Sequence, residues 1–319
     1  MTRIAILDDY AATAWDAADW SSVEGAEYEV FHEHLGHDED AVAEALQPFE
    51  VLVAMRERTP FPASLLQKLP NLKLLITTGM RNAAIDTDAA RANGIDVCGT
   101  DMLPYPAFEH AWALILALTK QIAKEDHVMK TGGWQKGTGV GLNGKTLGII
   151  GLGKLGAQVA RVGKAFEMEV IAWSQNLTQE RCDEVGDVTL VTKDELFSRS
   201  DVITIHMILG ERSRGLVGAH ELGLMKSSAY LVNTSRGPIV DEAALIATLQ
   251  NGNIAGAGLD VFDVEPLPVD HPFRSLENTV LTGHTGYVVA ELYAKAYGQA
   301  VEGIKAWQAG SPERLLNGA

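Results

Sequence analysis

The run Gly151-Leu-Gly-Lys-Leu-Gly156 follows the apolar stretch Thr146-Leu-Gly-Ile-Ile150 and precedes a helical pattern from Ala157 to Phe166. A strand that runs into G-x-G-x-x-G and then into a helix is the setting that the dinucleotide-binding fingerprint requires. In that reading Gly151 makes the tight turn, Gly153 lets the backbone approach a pyrophosphate, and Gly156 lets helix and strand pack closely. Lys154 and Leu155 open the helix, whose unpaired N–H groups offer an anion site. With 31 glycines in 319 residues the triplet alone would say little. Its strand–turn–helix setting gives it weight. About half of the chain precedes the motif, so something else is built first.

Short apolar runs alternate with helical patterns from end to end, the signature of βα units and parallel sheets. In the first third the expected strands are Ile4–Leu7, Tyr28–Phe31, Val51–Ala54, Leu72–Thr77 and Ile95–Val97, with helices at Asp40–Leu46, Ala63–Lys68 and Asp86–Asn93. One long helix is expected over Glu109–Met129, then a glycine-rich loop over Thr131–Gly141. Further strands are expected at Thr146–Ile150, Glu169–Trp173, Val188–Val191, Val202–His206, Ala229–Asn233, Gly256–Asp260 and Thr279–Thr282. The amphipathic stretch Ala290–Gln308 comes after this second sheet is complete and is expected to return to the first domain.

Charge excludes some functions. Lys and Arg number 26 against 42 Asp and Glu, a formal net charge of −16. A nucleic-acid backbone needs clustered positive charge, so that partner is not expected. An anionic substrate would need a local basic pocket. The two cysteines, Cys98 and Cys182, form no disulfide framework and no metal spacing, which fits a reducing compartment. No signal-peptide pattern opens the chain, and the longest apolar stretch, Ala111–Leu118, is too short to span a bilayer. A cytoplasmic protein with no membrane partner is the expectation. The cluster Phe31-His-Glu-His-Leu-Gly-His37 matches no zinc template, and no metal is assigned.

Three segments place polar residues just after apolar strands, where open α/β sheets bind ligands. Arg236 lies in Asn233-Thr-Ser-Arg-Gly-Pro-Ile-Val-Asp-Glu242, Asp260 and Glu265 in Ala257-Gly-Leu-Asp-Val-Phe-Asp-Val-Glu-Pro266, and His284 in Gly283-His-Thr-Gly286. An arginine can hold a carboxylate bidentately. A histidine with a carboxylate partner is a proton donor that works near neutrality. Beside a nicotinamide, these three groups suffice for hydride transfer to an α-keto acid.

Taken together, these segments resemble the D-isomer-specific 2-hydroxyacid dehydrogenases, a family that includes phosphoglycerate, glycerate, hydroxypyruvate/glyoxylate and formate dehydrogenases. The resemblance covers nearly the whole chain. It implies an α/β fold of two doubly wound parallel-sheet domains, with a Rossmann cofactor domain at 103–283 inserted into a flavodoxin-like substrate domain. That second domain would comprise 1–102 and a returning segment at 284–319. The implied reaction is hydride transfer between NAD(P)H and a D-2-hydroxy acid/2-keto acid pair. NAD is the expected cofactor, with NADP left open, and a homodimer is implied.

By the same resemblance Arg236 binds the substrate carboxylate and keto oxygen, His284 is the acid/base, and Glu265 orients and charges it. Asp260 meets the nicotinamide carboxamide, and Thr234 falls where the backbone approaches the cofactor. Arg56, Met80 and Arg81 are implied on the substrate side, the last two in the loop Thr78-Gly-Met-Arg-Asn82. The chain departs from the family pattern at three places. Ser174 stands where an aspartate often takes the adenosine ribose, Arg81 where glycine is common, and Gly283 where a proline usually precedes the histidine. Glu265 argues against formate dehydrogenase, which has glutamine there. With the sequence ending at Ala319, the regulatory extension of longer phosphoglycerate dehydrogenases is not expected. Two alternatives stay open: phosphoglycerate dehydrogenase proper, and a dinucleotide-sensing binding protein of the transcriptional co-repressor kind.

Overall fold

The apolar runs of the first hundred residues become five strands in the computed structural model, which describes residues 1–318. These are β1 (Thr2–Ile6), β2 (Ala26–Val30), β3 (Val51–Ala54), β4 (Leu74–Thr77) and β5 (Asp96–Gly99), with helices α1 (Glu39–Leu46), α2 (Ala63–Leu66) and α3 (Thr87–Ala92) between them. All pairings are parallel, in the order β2-β1-β3-β4-β5. That is the flavodoxin-like doubly wound order. Strands covered on both faces read as continuous apolar runs, and β3 and β4 are buried along their whole length.

The second unit opens with α4 (Pro106–Thr119) and α5 (Ile122–Lys130). Its strands are β6 (Thr146–Ile150), β7 (Glu169–Trp173), β8 (Thr189–Leu190), β9 (Val202–Ile205), β10 (Tyr230–Asn233), β11 (Gly256–Leu259) and β12 (Thr279–Leu281). The helices among them are α6 (Lys154–Ala165), α7 (Gln179–Val185), α8 (Lys193–Arg199), α9 (Ala219–Leu224) and α10 (Glu242–Gln250). The parallel order β12-β11-β10-β9-β6-β7-β8 is a Rossmann sheet extended by one strand. The last helix, α11 (Ala290–Gln308), belongs to the first unit and packs on β4.

Two expectations need correction. The units divide as Met1–Leu103 with Val288 onward, and Pro104–Tyr287. The return to the first unit therefore begins at Val288 rather than at residue 284. His284 stays in the second unit because its amide is bonded to the carbonyl of Asp260, at the end of β11.

The expected helix over Glu109–Met129 is two helices. It breaks at Gln121, whose φ is +56°. The loop after α5 takes one group that a continuous helix would use, the Thr119 carbonyl, and receives two side chains from the break. Val140 N–H donates to the Thr119 carbonyl (2.6 Å), and Lys120 Nζ (3.0 Å) and Gln121 Nε2 (3.0 Å) donate to the carbonyls of Val140 and Thr138. Trp112 on α4 is a core residue, its ring 5.1 Å from that of Phe166.

Candidate active site

The strand order of the second sheet reverses between β6 and β9, and ligands of such sheets bind at that point, beyond the carboxyl ends of the strands. The Gly151–Gly156 loop leaves β6 there. Gly151 has φ +96°, and a Cβ on it would collide with the carbonyl of His206, just after β9. A Cβ on Gly156 would collide with the carbonyl of Gly151, so this glycine serves helix–strand approach. Gly153 differs from both. Its φ is an ordinary −79°, and a Cβ there would meet no protein atom within 4 Å. Glycine at 153 keeps space open for something other than protein. It is also the N-cap of α6 and supplies no side-chain cap, so the orphan N–H groups of Lys154, Leu155 and Gly156 suit a diphosphate. The residues present fit a dinucleotide.

Two residues that sequence reasoning passed over brace this loop. Arg181 on α7 donates from Nε to the carbonyl of Leu152 (3.1 Å) and from Nη2 to that of Gly153 (3.3 Å). His206 carries the carbonyl beneath Gly151, and its Nε2 lies 2.9 Å from Thr204 Oγ1. Burial pushes the His206 imidazole down to about 4, so it is neutral around pH 7. Ser174 directly follows β7 and is half-buried, with no acid in its place.

The three residues assigned to chemistry follow β10, β11 and β12, neighbouring strands of the same sheet. His284 Nδ1 lies 2.6 Å from Glu265 Oε2, and Glu265 Oε1 accepts the Phe262 N–H at 2.9 Å. Both carboxylate oxygens are thus engaged and the pair is partly shielded from solvent. The rings of Tyr287 and His284 pack nearly perpendicular, with centroids 5.6 Å apart. Arg236 rests on a backbone held by Asn233, whose Nδ2 donates to the Arg236 carbonyl (2.9 Å) while its Oδ1 accepts from Ser235 (3.0 Å). The guanidinium Nη1 donates to the Ser235 carbonyl at 2.7 Å. Gly237 follows because a Cβ there would collide with the backbone of Phe262, in the loop that carries Glu265.

Asp260 is 1% exposed and its carboxylate is heavily used inside the protein. Oδ1 accepts from Thr282 Oγ1 (2.6 Å) and Thr285 N–H (2.7 Å) and lies 3.2 Å from His110 Nε2, while Oδ2 accepts from Gly286 N–H (2.8 Å). Burial pushes its carboxyl up, but the bonds from His110, Thr282 and Thr285 outweigh it and hold the group below the usual range.

In the first unit Arg56 sits at φ +53° after β3, with Nη1 3.0 Å from the Thr78 carbonyl and 3.4 Å from that of Arg81. Its Nη2 pairs with Glu57 at 3.2 Å. Gly79 takes φ +116° beneath this guanidinium, where a Cβ would collide with Nη1. Met80 and Arg81 are exposed on the same loop. Thr234 is half-buried beside Ser235. Two concavities of the second unit, about 290 and 130 Å³, share Tyr230 and open at the amino ends of the strands, the edge opposite the glycine loop.

Known proteins share the sequence and the fold of this chain. The model of the D-isomer specific 2-hydroxyacid dehydrogenase NAD binding domain matches residues 112–286. A glyoxylate reductase of Aeropyrum pernix is 38% identical over 79% of this chain and 78% of its own length. A D-3-phosphoglycerate dehydrogenase of Archaeoglobus fulgidus is 37% identical over 84% of this chain but only 51% of its own length, so this chain spans about half of that relative. Among solved structures, phosphoglycerate oxidoreductase from Vibrio cholerae superposes with a TM-score of 0.91 at 34% identity, covering 98% of this chain and 100% of that one. D-lactate dehydrogenase of Escherichia coli superposes at 0.82 with 25% identity, over 99% and 100% of the two chains. With more than half of its residues in the family's NAD binding domain, the chain belongs to the D-isomer specific 2-hydroxyacid dehydrogenases, oxidoreductases that act on hydroxy acid/keto acid pairs with NAD(H).

Proposed function

We propose that the chain reduces a small 2-keto acid with NADH, and oxidises the D-2-hydroxy acid in reverse, through Arg236, His284 and Glu265. The observation that carries this reading is the 2.6 Å contact between His284 Nδ1 and Glu265 Oε2. Nδ1–H is committed to the carboxylate, so Nε2 is the nitrogen left to hold and deliver a proton. The carboxylate fixes the orientation of the ring and its tautomer.

What NADH brings when bound is the hydride; the rest falls to side chains. Arg236 holds the substrate carboxylate and polarises the adjacent keto oxygen. His284 Nε2–H passes its proton to that oxygen as the carbonyl becomes a hydroxyl. Hydride on carbon and proton on oxygen complete the reduction and leave a neutral imidazole. Gly151, Gly153, Lys154, Leu155 and Gly156 are assigned to the diphosphate, and Ser174, Thr234 and Asp260 to the rest of the dinucleotide. Ser174 offers no charge against a 2′-phosphate, so this position does not repel NADPH. Arg56, Met80 and Arg81 are assigned to the substrate on the family resemblance.

The buried thiols Cys98 and Cys182 suit a reducing compartment such as the cytoplasm. We further propose a homodimer through α5 and the loop after it.

A panel of 2-keto acids with NADH and NADPH tests the reading. We expect turnover, and a loss of about 100-fold or more in kcat for His284→Ala with NADH affinity kept. NADH binding without turnover on any 2-keto acid would instead favour a dinucleotide-sensing protein.

A further inference from the structure

One residue gathers the whole turn that carries His284. The Asp260 carbonyl accepts the His284 N–H (2.7 Å), its Oδ1 the Thr285 N–H (2.7 Å), and its Oδ2 the Gly286 N–H (2.8 Å). Three consecutive amides can converge on one residue only if the backbone turns sharply. His284 does so at φ +54°, in the left-handed region that a side chain with a Cβ rarely adopts. Such a conformation persists only where its surroundings over-determine it. The orientation of the His284 ring therefore depends on how firmly the Asp260 carboxylate is held.

His110 on α4 is the outer part of that hold. Its Nε2 lies 2.9 Å from Thr282 Oγ1 and 3.2 Å from Asp260 Oδ1. The Thr282 hydroxyl donates its single hydrogen to Oδ1 at 2.6 Å. Nε2 of His110 must then carry a hydrogen and donate it, because the oxygens before it can only accept. The same imidazole lies against Gly286, where a Cβ would come within 3.6 Å of His110 Cδ2.

We propose that His110 is a positioning residue for the reaction: with Thr282 it locks the Asp260 carboxylate, which holds the turn that aims His284. This rests on the reading of His284 as the proton donor. His110 touches neither reacting atom nor substrate in this account. It acts through Asp260 alone.

Full-length His110→Leu and His110→Gln variants test the assignment. Leucine keeps most of the volume and removes the donor, whereas glutamine restores an N–H at a similar reach. In the leucine variant kcat for keto acid reduction should fall about 10- to 100-fold, the scale of a misplaced catalytic group. KM for the keto acid should stay within about threefold, because Arg236 is untouched and the loss falls on the aim of the proton donor. Glutamine should recover most of the loss, which a purely space-filling role for His110 would not allow. Thr282→Val, which removes the bridging hydroxyl at constant shape, should repeat the leucine result and serves in its place if that variant does not fold. Wild-type kcat in His110→Leu, or an equal loss with leucine and glutamine, overturns the proposal. His284→Ala separates this outcome from failure of the parent reading. If that variant keeps wild-type kcat, His284 is not the donor. If it is slow while His110→Leu is fast, only the positioning role falls.

Discussion

Arg236 owes its placement to neighbours that do no chemistry. Asn233 is buried and spends its side chain on the carbonyl of Arg236 and the N–H of Ser235, which fixes the backbone under the guanidinium. A lysine on the same backbone keeps the charge but loses the planar fork that matches a carboxylate. Arg236→Lys should therefore cost about 3 kcal/mol or more in kcat/KM, the scale of a lost donor at a preorganised site. Near-wild-type kcat/KM in that variant would leave Arg236 outside the active site. His206 makes a different kind of claim, on stability. Its folded pKa lies at about 4 against 6.5 for the free group, so between these values the unfolded chain binds more protons. The contribution of His206 is complete above pH 6.5 and is lost as pH falls towards about 4. The steepest loss is about 1.4 kcal/mol per pH unit. His206→Gln should flatten that part of the stability profile in urea titrations between pH 7 and 5, and an unchanged slope would show that His206 does not set it. At this scale the sequence reads unevenly. Arg236, Glu265 and His284 stand in short motifs beside glycine or proline. His110 sits in an unbroken helical pattern, and its partners lie 150 residues or more away in sequence.

The glycine loop separates two reasons for the same residue type. Gly156 is glycine because β6 and α6 leave no room, so Gly156→Ala should destabilise the fold by about 1–3 kcal/mol, the usual cost of overpacking. Gly153 is glycine in open space at an ordinary φ, so Gly153→Ala should leave thermal stability almost unchanged. It should still weaken NADH at least tenfold, because the methyl group fills space that the diphosphate needs. Equal NADH affinity by calorimetry would move the dinucleotide away from this loop. Strands proved easier to read than helices. Parallel strands buried on both faces appear as apolar runs between turns, and β3, β6 and β7 carry the bounds expected from their runs. The break at Gln121 has no local mark, for no glycine or proline lies between Pro106 and Lys130. It coincides with hydrogen bonds between residues 119–121 and residues 138–140, which periodicity does not register.

At the scale of the whole molecule, the apolar residues of α4 serve their own unit. Trp112, Leu114, Ile115 and Leu118 on α4 are buried within their own unit, where α4 packs on α6, β10, β11 and β12. The surface left open lies just beyond. Ile122 and Met129 are 56% and 52% exposed and stand seven residues apart on α5, hence on one face, and Trp134 in the following loop is 74% exposed. Three large apolar side chains within 13 residues, one of them a tryptophan, make an interface core out of place on a free surface. A two-fold contact would set this patch against its own copy and bury all three side chains twice over. The chain should therefore sediment as a dimer at micromolar concentration. Ile122→Glu together with Met129→Glu should shift it to monomer while far-ultraviolet circular dichroism stays unchanged, because neither side chain contributes to the core of its own unit. Trp134→Ala should weaken the dimer without that charge, which separates lost burial from repulsion. A wild-type chain that sediments as a monomer in this range would remove the two-fold contact, and the exposed patch would need another partner.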